Sequence, residues 1–280
     1  MWTGIPDLLN IVITGASGFI GRALTARLDS VGLSYTALSR QCEMGHFNTD
    51  NYLKTPASKL LVHLGENPDR AEVNALGEKY LEHSASVVEA LVSRTETFIY
   101  ASSGVVYGDQ SDAPFTIKDI VRPTDVYSRS KILNETITKA AGGTVLRLSN
   151  LYGKGMSTRN VISDITRQLP YYGPMKVRDD VPVRDFLCVN SAVNAILMLT
   201  QKPYPGVLNL GSGIGMSIGN LALLALSAVG QKGREIVIEN PSASPSINIL
   251  DISMTKTHLG WSPGPPPALG LAKLFRRGMT

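Results

Sequence analysis

The stretch Leu9-Asn10-Ile11-Val12-Ile13-Thr14-Gly15-Ala16-Ser17-Gly18-Phe19-Ile20-Gly21 restricts what this chain can fold into more than any other. Four of the five residues from Leu9 to Ile13 are apolar, which suits a parallel strand covered on both faces. Three glycines at spacings of three then mark a turn into a helix. Gly15 can take the tight turn, Gly18 lets a pyrophosphate approach the backbone, and Gly21 lets the helix pack on the strand. Free N–H groups at the helix start, around Ser17, Phe19 and Ile20, face the anion. The spacing is Gly-x-x-Gly-x-x-Gly and not the tighter Gly-x-Gly-x-x-Gly. In this strand-to-helix setting the turn predicts dinucleotide binding.

Apolar Ala23, Leu24, Leu28 and Val31 continue the helix, Gly32 stops it, and Ser34 to Ser39 predicts a second strand. An acidic residue at the end of that strand would hold the ribose 2′-hydroxyl of NAD(H). Ser39 and Arg40 stand there instead. A guanidinium beside a small hydroxyl fits a 2′-phosphate, so the expected cofactor is NADP(H) in preference to NAD(H), although a solvated surface arginine would read the same way. Leu60 to Gly65 predicts a further buried strand whose end, Leu64 and Gly65, passes the cofactor, with His63 packed inside. Val73, Leu76, Tyr80, Leu81, Val87, Val88 and Leu91 predict one helical face between Glu72 and Val92.

At 280 residues and 43% hydrophobic content, the chain can bury one large domain or a domain with a smaller companion. Its 27 basic and 23 acidic residues form no basic run, which argues against a nucleic-acid surface and suits a small anionic ligand. Cys42 and Cys188 stand alone, without a CxxC or a histidine pair, so neither a disulfide framework nor a metal site is expected. The first apolar run is already the cofactor strand, and Leu221 to Val229 is too short to span a bilayer. A reducing cytoplasm without membrane attachment is the expected setting.

Phe98 to Gly108 predicts another strand, with Ser102 and Ser103 at the carboxyl end where open α/β sheets bind ligands. Pro123-Thr124-Asp125 signals a helix start, and Tyr127 and Lys131, four apart, share a face of that helix. In this order the residues resemble the extended short-chain dehydrogenase/reductases, in particular their epimerase/dehydratase group acting on nucleotide sugars. The likeness runs through Thr14 to Gly21, Ser102-Ser103, Val106-Tyr107-Gly108 and Tyr127-Ser128-Arg129-Ser130-Lys131. It continues through Leu146 to Gly153, Arg184-Asp185-Phe186 and Asn209 to Gly213.

The resemblance implies that Ser103 orients the reacting oxygen and Tyr127 transfers the proton. Lys131 would hold the nicotinamide ribose and ease the loss of the tyrosine's proton. A free tyrosine titrates near about 10, so such chemistry needs a neighbouring cation. The resemblance also places Asn150 and Arg184 on the substrate's diphosphate, although Arg184 could equally pair a carboxylate. It implies a homodimer built on the helices around Glu72 to Val92 and Asp125 to Ala141. Where the family has a second arginine for the diphosphate, the chain reads Glu239-Asn240-Pro241-Ser242-Ala243-Ser244-Pro245-Ser246. The family's dehydratases carry an Asp-Glu pair directly after the hydroxyl residue. Here Gly104 and Val105 stand in that place.

The expected architecture is α/β: a Rossmann-type parallel sheet with helices on both faces and a small C-terminal substrate-binding domain. Residues 1–150 form the first part, rejoined by about 182–211, and residues 151–181 and 212–280 form the second. The expected activity is a nucleotide-sugar 4-ketoreductase. A 4-epimerase, a carbonyl reductase on a non-sugar substrate and a non-catalytic NADP-binding regulator are the alternatives, and an intact Ser103, Tyr127 and Lys131 argues against the last.

Overall fold

The computed structural model describes residues 10–40, 47–48, 51–109, 113–242 and 246–278. Leu9, Cys42 and the segment from Ala243 to Pro245 lie outside them. In chain order the first half runs β1 (Ile11–Thr14), α1 (Phe19–Ser30), β2 (Thr36–Ser39), β3 (Phe47–Asn48), β4 (Ser58–His63), α2 (Arg70–Leu76), α3 (Glu78–Val92), β5 (Thr95–Ser103), α4 (Val126–Ala140) and β6 (Thr144–Leu148). The second half runs β7 (Asn150–Tyr152), α5 (Val161–Gln168), β8 (Met175–Val177), β9 (Val183–Cys188), α6 (Val189–Gln201), β10 (Gly206–Leu210), β11 (Gly215–Ser217) and α7 (Ile218–Ala228). It closes with β12 (Ile236–Ile238), β13 (Ile247–Asn248), α8 (Ser253–Leu259) and α9 (Pro267–Arg277).

The main sheet is parallel throughout, in the order β10-β6-β5-β4-β1-β2-β3. The buried stretches Ile11 to Ile13 of β1 and Leu60 to Val62 of β4 are unbroken apolar runs because both faces of the sheet are covered there. Ile11, Ile13, Leu60, Val62 and Ile99 point into a core shared with Leu24 and Leu28 of α1 and with α6. Val12, Leu61, Phe98 and Tyr100 point the other way, onto Val87, Val88 and Leu91 of α3. The chain leaves β1 toward β2 and β3 on one side and returns through β4 on the other. The carboxyl ends of β1 and β4 therefore bound the crevice where a doubly wound sheet takes its ligand.

The helix expected over Glu72 to Val92 is two helices. Gly77 breaks it with φ of +65°, a left-handed conformation open to glycine. Leu76 is half exposed as a result, whereas Val73 and Leu91 remain buried. The returning segment divides: β10 joins the main sheet and α6 packs on α1, while β9 lies in a small sheet with β7, β11 and β13. Around that small sheet Ile165, Leu221, Ala225, Leu271 and Phe275 form a second core. Among the described residues no helix is long and apolar enough to cross a membrane, and no cluster of His, Cys, Asp or Glu could hold a metal ion.

Candidate active site

The glycine turn is built by contacts that exclude side chains. Gly15 has φ of +73°, and a Cβ on it would sit 2.5 Å from the carbonyl carbon of Leu64. A Cβ on Gly21 would lie 2.2 Å from the Gly15 carbonyl oxygen, so helix α1 packs on the turn itself rather than on the strand before it. Gly18 caps α1 without a side chain, and no acidic residue stands in the first turn. The N–H groups there meet no capping side chain, and the helix dipole makes the spot favourable to an anion.

Ser39 differs from the expectation of a hydroxyl waiting at the strand end. It is fully buried, and its Oγ donates to Ser17 Oγ at 2.5 Å, fastening β2 to the glycine turn. Arg40 is exposed, with its guanidinium carbon 5.9 Å from the ring centroid of Tyr52. Tyr52 is a site residue that sequence reasoning missed. Its hydroxyl accepts the Gly15 N–H at 3.1 Å, and its ring lies 2.3 Å from where a Gly65 Cβ would be. Arg40, Tyr52 and Gly65 line one small cavity beside the turn.

A cavity of about 240 Å³ opens across the carboxyl ends of β4, β5 and β6. Phe19, Ile20, Leu64, Ser103, Tyr127 and Lys131, all expected from the sequence, line it together. Ser103 ends β5 opposite Leu148 of β6, with its Oγ 3.3 Å from the Val105 N–H that it accepts. Tyr127 and Lys131 come from the first turns of α4, and Lys131 Nζ is 5.7 Å from the Tyr127 ring centroid. Two buried polar atoms of the lining, His63 Nε2 and Ser149 Oγ, have no hydrogen-bond partner among the described residues. Such orphans, with the uncapped helix start and Arg40, fit a polar anionic dinucleotide and its substrate.

Glu66 is the larger surprise. It pairs with Lys131, and both side chains are less than a tenth exposed. Burial pushes the Glu66 carboxyl up, but the Lys131 charge and hydrogen bonds from Lys131 and Tyr100 outweigh it and hold the carboxyl below its usual range. Burial likewise works against the Lys131 ammonium, and the charge of Glu66, with Tyr127, the Glu66 hydrogen bond and Tyr80 adding to it, reverses this and raises the lysine above its ordinary value. His63 is the packed histidine expected: burial lowers it to about 4, and it shares a 2.6 Å hydrogen bond with Thr14 Oγ1.

The start of α4 is held by a reciprocal cap. Asp125 accepts from the Ser128 N–H, and Ser128 Oγ accepts from the Asp125 N–H. Asn74 of α2 accepts the Tyr127 N–H at 3.0 Å and donates to Asp125, and Arg70 pairs with the same carboxylate. Partial burial raises the Asp125 carboxyl, but Ser128, Asn74 and Arg70 outweigh it and hold it well below the carboxylate range. A depressed folded-state value means stabilisation that is whole above the unfolded value of about 4 and lost as pH falls below it. Asp125→Ala is expected to cost about 0.5–2 kcal/mol at pH 7. Urea unfolding of both proteins should show the gap narrowing at pH 3, and a pH-independent gap would remove the carboxylate from the account.

Arg184 and Asn150 do not line the cavity that holds Ser103. They lie on neighbouring strands of the small sheet, where Asn150 donates to the Asp185 carbonyl at 3.2 Å. Arg184 donates to the Val183 and Ser246 carbonyls and to Ser246 Oγ, and it pairs with half-exposed Asp109 at 3.5 Å. Buried Asp185 accepts the Ser212 and Gly213 N–H groups, so the glycine-rich segment after β10 is a fastened loop.

The comparisons with known proteins agree with the fold. The sequence model of the family described as "NAD dependent epimerase/dehydratase family" matches residues 11–211. A dTDP-4-dehydro-6-deoxyglucose reductase from Escherichia coli is 26% identical over 311 residues, covering 95% of this chain and 96% of that protein. The UDP-glucose 4-epimerase structure from Thermotoga maritima, solved with UDP-glucose, superposes with a TM-score of 0.86 at 22% identity, over 97% of this chain and 100% of the other. The structure of RMD from Pseudomonas aeruginosa complexed with NADPH gives 0.82 at 24% identity, over 97% and 99%. With the family match spanning well over half of its length, the chain belongs to the NAD dependent epimerase/dehydratase family, among the extended short-chain dehydrogenase/reductases.

Proposed function

We propose that this protein is a nucleotide-sugar 4-ketoreductase using NADP(H). The observation that carries the reading is the meeting of Ser103, Tyr127 and Lys131 on one cavity whose one carboxylate among the described lining residues, Glu66, is paired with Lys131. Gly15, Ser17, Gly18, Phe19, Ile20 and Gly21 would hold the pyrophosphate, with Leu64 and Gly65 against the adjoining part of the dinucleotide. Arg40 would take the 2′-phosphate, a role it carries without the hydroxyl of Ser39. The bound dinucleotide supplies the hydride.

The chain's own residues do the rest. Ser103 donates a hydrogen bond to the substrate carbonyl, and Tyr127 delivers the proton to the oxygen as it gains charge. Lys131 has three N–H donors, of which Glu66 and the Ala101 carbonyl take two, and the third is left for the ribose or Tyr127. Gly104 and Val105 carry no ionisable side chain, so the acid/base pair that the family's dehydratases place directly after the hydroxyl residue is missing here. Asn150 and Arg184 would receive the diphosphate, and the loose contact to Asp109 is one that a diphosphate can replace.

The test is direct. With a 4-keto-6-deoxy nucleotide sugar the protein should consume one NADPH per product, with NADPH bound more tightly than NADH and Arg40→Ala removing most of that preference. The E. coli relative's name, a dehydro-6-deoxyglucose reductase, makes its dTDP-linked substrate the first to try. Interconversion of C4 epimers without added cofactor would overturn the reductase reading in favour of an epimerase. Equal affinities for the two cofactors would overturn the role of Arg40.

A further inference from the structure

The cavity holds one carboxylate and one ammonium among its described lining residues, Glu66 and Lys131, and they are paired with each other. Glu66 follows β4 by three residues and is gripped from two further elements. Its Oε1 accepts Asn134 Nδ2 at 2.5 Å, and the Tyr100 hydroxyl lies 2.9 Å from both carboxylate oxygens. Asn134 stands three residues after Lys131 on α4, so one helix face presents both donors to the carboxylate. The groups facing the pair are His63 from β4, Tyr100 from β5, Tyr80 from α3 and Tyr127 from α4, with Arg40 acting on His63 from the end of β2. Burial keeps His63, Tyr80 and Tyr100 in their neutral forms at neutral pH, so none of these three is a second anion for Lys131.

A lysine has a flexible four-carbon stem and a point charge, and burial favours its neutral form. Left alone in this wall, Lys131 would keep the Ala101 carbonyl as its fixed acceptor and would be free to shed its proton. We propose that Glu66 is a positioning residue that anchors the Lys131 ammonium, in charged form, beside Tyr127, keeping the pair ready to deliver a proton. The proposal rests on the roles given above to Tyr127 and Lys131. Glu66 itself makes no contact with the reacting atoms in this account; it acts through the lysine.

The first measurement needs no substrate. Acetic anhydride labelling across pH 6 to 10, read on the peptide containing Lys131, reports how readily that amine loses its proton. Glu66→Gln should raise Lys131 labelling at pH 8 by about tenfold or more, while exposed Lys176 is unchanged. Glu66→Asp, which keeps the charge and shortens the reach, should give an intermediate rate and serves if the glutamine variant does not fold. In reduction assays the alkaline limb of the kcat/KM profile should move to lower pH in Glu66→Gln, with Glu66→Asp restoring most of it. Unchanged labelling in both variants would overturn the anchoring, as would a uniform loss of activity with no shift in profile. Labelling that responds as expected in a protein that reduces no 4-keto sugar would support the anchoring and overturn the reductase reading alone.

Discussion

Tyr127→Phe is expected to lower turnover by roughly 10²- to 10⁴-fold, the usual contribution of a positioned general acid. The phenylalanine ring keeps the packing of the first turn of α4 and removes only the hydroxyl. An interaction made in the transition state should disappear from kcat and kcat/KM together, leaving cofactor affinity essentially as it was. Stopped-flow reduction with NADPH, set beside a fluorescence titration of the same cofactor, separates the two quantities. Wild-type turnover in the variant would transfer the proton to another donor. A comparable loss in cofactor affinity would mean that the hydroxyl serves binding.

The largest effect on stability is expected at Arg147. Its guanidinium meets Glu135 through Nε at 3.0 and 3.2 Å and through one terminal nitrogen at 2.6 Å, with the side chains 5% and 1% exposed. The same guanidinium lies 4.6 Å from the Tyr107 ring centroid, and Ser102 donates to Glu135 at 2.6 Å. Arg147→Met leaves a buried carboxylate with the Ser102 hydroxyl as its remaining donor among the described residues, which should cost about 3–5 kcal/mol. Replacing both partners, as in Glu135→Leu with Arg147→Met, should recover most of the loss, because the desolvated charge goes with them. Urea unfolding of the single and double variants measures this. A loss below about 1 kcal/mol in the single variant would show that water reaches the pair.

The parts of the candidate site carried by short stretches could be placed from the sequence, because local spacing brings them to one cavity. The glycine turn, Ser103 at a strand end and the Tyr127 to Lys131 spacing each need only one strand or one helix to be correct. The parts that depend on long-range pairing were not legible. Glu66 meets a lysine 65 positions away, and Arg184 meets Asp109 across 75. Neither pairing leaves a periodic trace. Tyr52 reads as an ordinary aromatic in a polar stretch until β1 and β4 bring the glycine turn against it. Gly77 shows the opposite problem: the apolar spacing on either side continues through it, and only its backbone angle reveals the break.

Asp185 bears on whether the two halves of this fold can be separated. Its carboxylate belongs to the small sheet, yet it receives N–H groups from Ser212 and Gly213, just beyond the last strand of the main sheet, and from Leu250. Oxygen Oδ2 also lies 2.4 Å from where a Gly211 Cβ would be, so residue 211 must stay without a side chain. The knot ties three distant segments at one buried atom pair. A graft that exchanged the C-terminal lobe for another would have to carry Asp185 and its loop as one unit. Substrate preference in a protein built this way is more easily altered by point substitutions around the crevice than by trading whole modules.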